Sequence, residues 1–120
     1  MDISKKIAEI KQEPGFKEHV GMVLVHNGIV RGTSRDGSKT VLSVYVKPDR
    51  LKMQAICKEM EQRPGIFRIF AHANEGELFP GDDLLYLFVA GDIRENVKAT
   101  FAELLDRIKS ESVMKQEITK

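Results

Sequence analysis

A chain of 120 residues, 42% hydrophobic and 31% charged, has the makings of a single folded domain over residues 1–120 and excludes disorder, collagen-like repeats and low complexity. Its 19 basic and 18 acidic residues leave a formal charge of +1, so no global field draws it to nucleic acid or to an anionic membrane, and any anion site must be local. The lone Cys57 rules out an internal disulfide and any C-x-x-C motif, and neither the N-terminal MDISKKIAEIKQEPG nor the longest apolar run, Leu84 to Ala90, reads as a signal peptide or membrane span. A cytoplasmic protein is expected.

In chain order, Ile3, Ile7 and Ile10 fall at helical spacing behind Asp2, and Pro14-Gly15 stops that helix. The apolar stretch GMVLVHNGIVRG reads as one strand with a bulge at Asn27-Gly28, because the polar GTSRDGSK after it, with Asp36-Gly37 at its tip, is the better turn. Thr40 to Val46 alternates as a second strand. Asp49 is the expected N-cap of a helix that turns Leu51, Met53, Ile56, Cys57 and Met60 inward and ends at Arg63-Pro64-Gly65.

Ile66 to Ala73 and Leu84 to Ala90 are strands flanking a turn at Pro80-Gly81-Asp82. The last helix opens with Asp92 as N-cap and Glu95 in a capping box, presents Val97, Phe101, Leu104, Leu105 and Ile108 to the core, and runs out into the polar tail SESVMKQEITK. Pairs of strands separated by helices predict an α+β fold, a two-layer sandwich of helices on a largely antiparallel sheet made of hairpins.

Most motifs fail on context. Gly32 to Thr40 resembles a phosphate-binding P-loop, but that loop must open a helix and a strand follows here. His19, His26 and His72 have no metal-ligand spacing, so no metal and no cofactor are expected. Cys57 lies mid-helix without a base to make it a thiolate, and no serine sits in a nucleophile elbow. There remain cations at element ends: Arg31, Arg94, Lys109 and Lys115, each of which taken alone reads as a solvated surface charge.

Taken in order, GMVLVHNGIVRG, the GELFPGDD turn, the DIRENVKATFAELLDRIK helix and the closing MKQE resemble the catalytic (large) subunit of molybdopterin synthase, over about Gly21 to Glu117. The resemblance implies Arg31 and Arg94 as substrate-binding residues and Lys109 and Lys115 as the catalytic pair. Ile93 stands where that family has a histidine before the helix-start arginine, and Ser112-Val113-Met114 lacks its proline and aromatic.

The activity implied is sulfur transfer in molybdenum cofactor biosynthesis. A small ubiquitin-like sulfur-carrier subunit with a Gly-Gly C-terminus delivers sulfur as a thiocarboxylate to cyclic pyranopterin monophosphate, forming the dithiolene of molybdopterin. Two anions brought together need fixed positive charge. Arginine forks suit the phosphate, and two close, desolvated lysines depress each other's pKa, so Lys109 is the expected proton carrier with Lys115 as its electrostatic partner and a second proton carrier. Arg94 and Lys109 are 15 positions apart, roughly 22 Å along one helix. If both act at one site they come from two subunits, which predicts a symmetric homodimer with shared sites, and the resemblance implies that this dimer lies within a heterotetramer in which each large subunit binds one small subunit. The alternative is a non-catalytic paralogue that binds the ubiquitin-like tail without turnover. A small-molecule sensing domain ranks below both.

Overall fold

The architecture follows from β5 (Asp83–Gly91), which is buried at every position after the first. A strand covered on both faces needs partners on both edges. The computed structural model, which describes residues 1–120, pairs β5 antiparallel with β1 (Met22–Ile29) on one side and β3 (Ile66–Ala73) on the other, in the order β1-β5-β3. The period-two alternation of β5 then builds two apolar layers. Leu85, Leu87 and Val89 face the main core with residues of α3 (Arg50–Glu61) and α4 (Arg94–Arg107), whereas Tyr86, Phe88 and Ala90 face Ile10 of α1 (Ile3–Lys11) and Phe16 of the short α2 (Phe16–His19). The expected irregularity in β1 is present as a register shift between Gly28 and Ile29.

A second antiparallel sheet has β2 (Val41–Pro48) at its centre, flanked by β4 (Gly76–Leu78) and β6 (Val113–Thr119). Val41, Val44 and Val46 of β2 enter the main core beside Met53, Leu84 and Leu104. The α+β class and the antiparallel pairing are those expected, but the strand partners differ. β1 and β2 form no hairpin: they belong to different sheets and their loop closes only at the bridge Thr33–Thr40. The competition for the edge of β5 decides this, because pairing β1 with β5 buries two apolar strands together. The polar tail is also not a loose end. Val113–Thr119 covers the open edge of β2, on which only Val113 has appreciable burial, so backbone hydrogen bonds rather than apolar side chains recruit it.

Asp49 caps α3 as expected, its side chain accepting from Lys52 N at 3.0 Å, but Leu51, expected to face inward, is exposed in the first turn, off the face that Met53, Ile56, Cys57 and Met60 bury. The capping box expected on Asp92 and Glu95 does not form: the cap position is Ile93, and Glu95 bonds Arg94 instead. Asp92 is held outside the helix because its N–H donates to Gly65 O and its Oδ1 accepts from Ile93 N and Asn96 Nδ2. A Cβ at Gly65, whose φ is +81°, would lie 2.4 Å from that same Oδ1, so only glycine lets the two turns meet.

Cys57 is buried, as its helical position predicts, and burial followed by the Glu61 carboxylate pushes its thiol up to about 11. At pH 8 the native thiol is therefore expected to resist alkylation by iodoacetamide and to react at the rate of a free thiol only in denaturant, as followed by mass spectrometry. Equal rates in both conditions would contradict its placement in the core.

Candidate active site

α4 does not end in an ordinary cap. It continues into a π-helical turn, Ile108–Ser112, in which the Ser112 hydroxyl donates to Ile108 O and, one step earlier, Ser110 Oγ donates to Asp106 O, each at 2.8 Å. Serine hydroxyls that bond back to carbonyls four residues earlier loosen a helix end, and single π turns of this kind concentrate at functional sites. Ile108 and Ser112 are buried, and Ser112 O receives Asp49 N–H at 2.7 Å, so both ends of the turn are fixed. Lys109 projects from this anchored turn.

Lys115 arrives from the adjoining strand. It pairs across the sheet with buried Val46, and its side chain shares the inner face of β6 with Val113. Lys109 and Lys115 together line a crevice of about 60 Å³, whose other walls are Gly28 and Ile29 of β1, Leu84 and Leu85 of β5, and Val113. On its outer side Lys115 also borders a larger hollow of about 440 Å³ floored by Tyr45, Val46, Gly76, Met114 and Gln116.

The electrostatics of the crevice are one-sided. Burial, then the charges of Lys115 and Arg35, lower the pKa of the Lys109 ammonium, against only Asp106 acting in the other direction. No carboxylate is salt-bridged to Lys109 or Lys115, although nine such pairs occur in the chain. An amine placed among apolar walls and like charges loses its proton more readily than one in water.

The two arginines stand apart from this pair. Arg31, two residues beyond Ile29, donates from Nε to Thr33 O and from Nη2 to Ser34 O, both at 3.1 Å, and so braces the loop between β1 and β2. That loop is further pinned by Asp36, which accepts from Ser34 Oγ, Ser38 N and Ser38 Oγ, hydrogen bonds that hold its carboxyl down to about 2. The loop carries Arg35, the cation that reaches the field of Lys109. Arg94 sits at the first position of α4 with its side chain 79% exposed and paired with Glu95. Because α4 runs unbroken from Arg94 into the π turn, the structure does not bring Arg94 to the Lys109 crevice of its own chain.

Two features of the site escape sequence reasoning: Arg35 hides in a turn whose glycine and serines signal only a loop, and the π turn has no signature beyond two serines near a helix end. His26, whose place two positions before Gly28 puts it on the side of the site although a lone histidine is no candidate by itself, is half-buried beside Lys109. No group of three or more His, Cys, Asp and Glu side chains is placed to hold a metal ion. No helix is long and apolar enough to cross a membrane.

The fold, a central antiparallel sheet with helices on both faces and a second three-stranded sheet beside it, is shared with solved structures of molybdopterin synthases. The structure matches the molybdopterin synthase of Staphylococcus aureus with a TM-score of 0.80, covering 100% of this chain and 86% of that one at 18% identity. It matches a chain of the complex of subunits 1 and 2 of the molybdopterin-converting factor from Helicobacter pylori with a TM-score of 0.70, covering 98% of this chain and 80% of that one at 13% identity. In sequence it is 29% identical over 118 residues to a probable molybdopterin synthase of Haloferax volcanii, over 94% of this chain and 45% of the relative, so the chain spans about half the length of that protein. The family described as MoaE protein matches residues 1–111, and the chain belongs to the MoaE family.

Proposed function

We propose that the protein is the catalytic subunit of a molybdopterin synthase, transferring sulfur from the C-terminal thiocarboxylate of a small ubiquitin-like carrier to cyclic pyranopterin monophosphate. The observation that carries this reading is the Lys109–Lys115 crevice, where two exposed lysines without a salt-bridge partner border the same apolar walls and the field lowers the pKa of one of them. Such a place attracts an anionic peptide end and a phosphorylated substrate and can also move a proton. Lys109 gives up and takes back the proton. Lys115 depresses the pKa of Lys109 by its charge and serves as a second carrier. Each dithiolene takes two sulfurs, so two carriers are consumed in turn: each thiocarboxylate sulfur bonds to a substrate carbon as that carbon loses an oxygen substituent, and water then cleaves the resulting thioester, supplying the oxygen with which the carrier leaves as an ordinary carboxylate.

The size of the crevice bears on how the substrate is held. A pyranopterin with its cyclic phosphate needs a few hundred Å³, several times the roughly 60 Å³ between the lysines. The adjoining hollow beside Lys115 gives an extended carrier tail a course along β6. The pterin then lies at the outer lip, where Arg31 and a second copy's Arg94 bind its phosphate. In this arrangement the active unit is a homodimer, each protomer docking one carrier. The complex of subunits 1 and 2 from Helicobacter pylori supports a carrier partner for this fold.

The test is direct. Purified protein is incubated with a thiocarboxylated small subunit and the cyclic precursor, and the dithiolene product is measured. Product formation is expected. Stable carrier binding without product would establish the non-catalytic binding module instead, a reading favoured by Ile93 in the place of the family's histidine and by the pairing of Arg94 with Glu95.

A further inference from the structure

Among the buried side-chain nitrogens and oxygens of the chain, His26 Nε2 is the only one with no hydrogen-bond partner. A buried polar atom left in this state is destabilising, and native structures keep few of them. His26 lies on the inner face of β1, its ring 6.3 Å from that of Phe101 on α4 and its strand partner Leu87 on β5. Neither neighbour can satisfy it. Two residues on, Gly28 forms a wall of the Lys109 crevice, and a Cβ there would stand 2.8 Å from His26 Nε2. The missing side chain at Gly28 therefore leaves the imidazole nitrogen facing the crevice wall, with no screen between them.

We propose that His26 is a positioning residue for Lys109: its Nε2 lone pair accepts a hydrogen bond from the Lys109 amine and holds that amine toward the crevice. The inference rests on the reading of Lys109 as the proton carrier. It requires the tautomer with the proton on Nδ1. An uncharged acceptor suits the task better than the alternatives. A carboxylate in its place would lock Lys109 as an ammonium, and an apolar ring would leave the long, flexible side chain unheld.

The surrounding charges agree. Burial and then Lys109 lower the pKa of His26, so the imidazole is neutral at neutral pH, and Lys109 is the one charged group acting on it. The other charges near the pair are Lys115 of β6, Arg35 of the β1–β2 loop and Asp106 of α4, all felt by Lys109.

The contact is tested without turnover by following the His26 imidazole signal against pH in 13C-labelled protein. Lys109→Met removes the repelling charge, so the His26 titration is expected to move to higher pH; an unmoved titration overturns the proposal. Its role is tested by steady-state kinetics. His26→Phe keeps the ring volume without the acceptor and is expected to lower kcat about tenfold with the KM for the carrier unchanged, the loss of one hydrogen bond. His26→Gln, whose amide oxygen accepts without charge, is expected to regain most of the rate. A His26→Phe enzyme with full kcat overturns the positioning role. If wild type binds the carrier but makes no dithiolene while the His26 titration still shifts in Lys109→Met, the sulfur-transfer reading fails and the contact stands.

Discussion

Lys109→Arg is expected to lower single-turnover dithiolene formation by about a hundredfold to ten-thousandfold, the range for removing a positioned acid–base group, while carrier binding stays close to wild type. Arginine preserves the positive charge and most of the reach of lysine but does not deprotonate near neutral pH. The substitution therefore separates two roles that alanine would remove together. If Lys109 acted only as a fixed cation for the thiocarboxylate, arginine would retain most of the rate. The local structure argues for the proton: the turn that carries Lys109 is fixed at both ends, its walls are apolar, and Lys115 and Arg35 both oppose the ammonium form. An arginine variant with near-normal turnover would remove Lys109 from proton transfer.

The second large effect concerns the pairing of chains. Arg94→Ala and Lys109→Ala are each expected to be nearly inactive alone, yet a mixture unfolded and refolded together should regain activity. If a site takes Lys109 from one protomer and Arg94 from its partner, a mixed dimer has one site lacking both residues and one site intact. Statistical pairing then restores about a quarter of the wild-type rate. The physical basis is the rigid spacing along α4, which runs from Arg94 without a break into the turn that holds Lys109, together with the exposure of Arg94 at the far end. If both residues served one site within one chain, the mixture would stay inactive. Full activity of Arg94→Ala by itself would remove that residue from the site.

How much of this was legible in the sequence depends on where the information resides. The three long helices, the strand bulge at Gly28 and the buried run of β5 are local, and their glycines and periodicities announce them, whereas the one-turn α2 and the three-residue β4 are too short to carry a period. Partner choice is not local. β1 and β2 are neighbours in sequence and separate in space because β5 competes for β1, and no periodicity in either strand records that competition. β6 was missed for the same reason: Met114, Gln116 and Glu117 are exposed, so the strand exists through its ladder to β2 and not through a hydrophobic stripe.

At the site, the sequence pointed to Lys109 and Lys115, and the structure places both on one crevice. Arg31 was readable as a cation at a strand end. Its engagement with the carbonyls of Thr33 and Ser34 is a tertiary fact that only the folded loop discloses. Asp92 shows the limit of motif reading: the sequence of a capping box is present, but Asp92 is tied to Gly65 and Asn96, and the helix starts without a side-chain cap.

The central claim is that Lys109 works as an amine whose proton is loosened by its surroundings, Lys115 foremost among the charges. The pH dependence of the single-turnover rate tests it in wild type and in Lys115→Met. The rate should rise with pH as Lys109 loses its proton, and this limb should lie below the ordinary lysine value of 10.5, because burial and Lys115 both lower it. Removing the Lys115 charge takes away one of those causes, so the limb should move to higher pH, slowing the reaction near neutrality, while the loss of Lys115 as a second carrier lowers the plateau without moving the limb. A limb that stays in place, or moves to lower pH, in Lys115→Met would contradict the account.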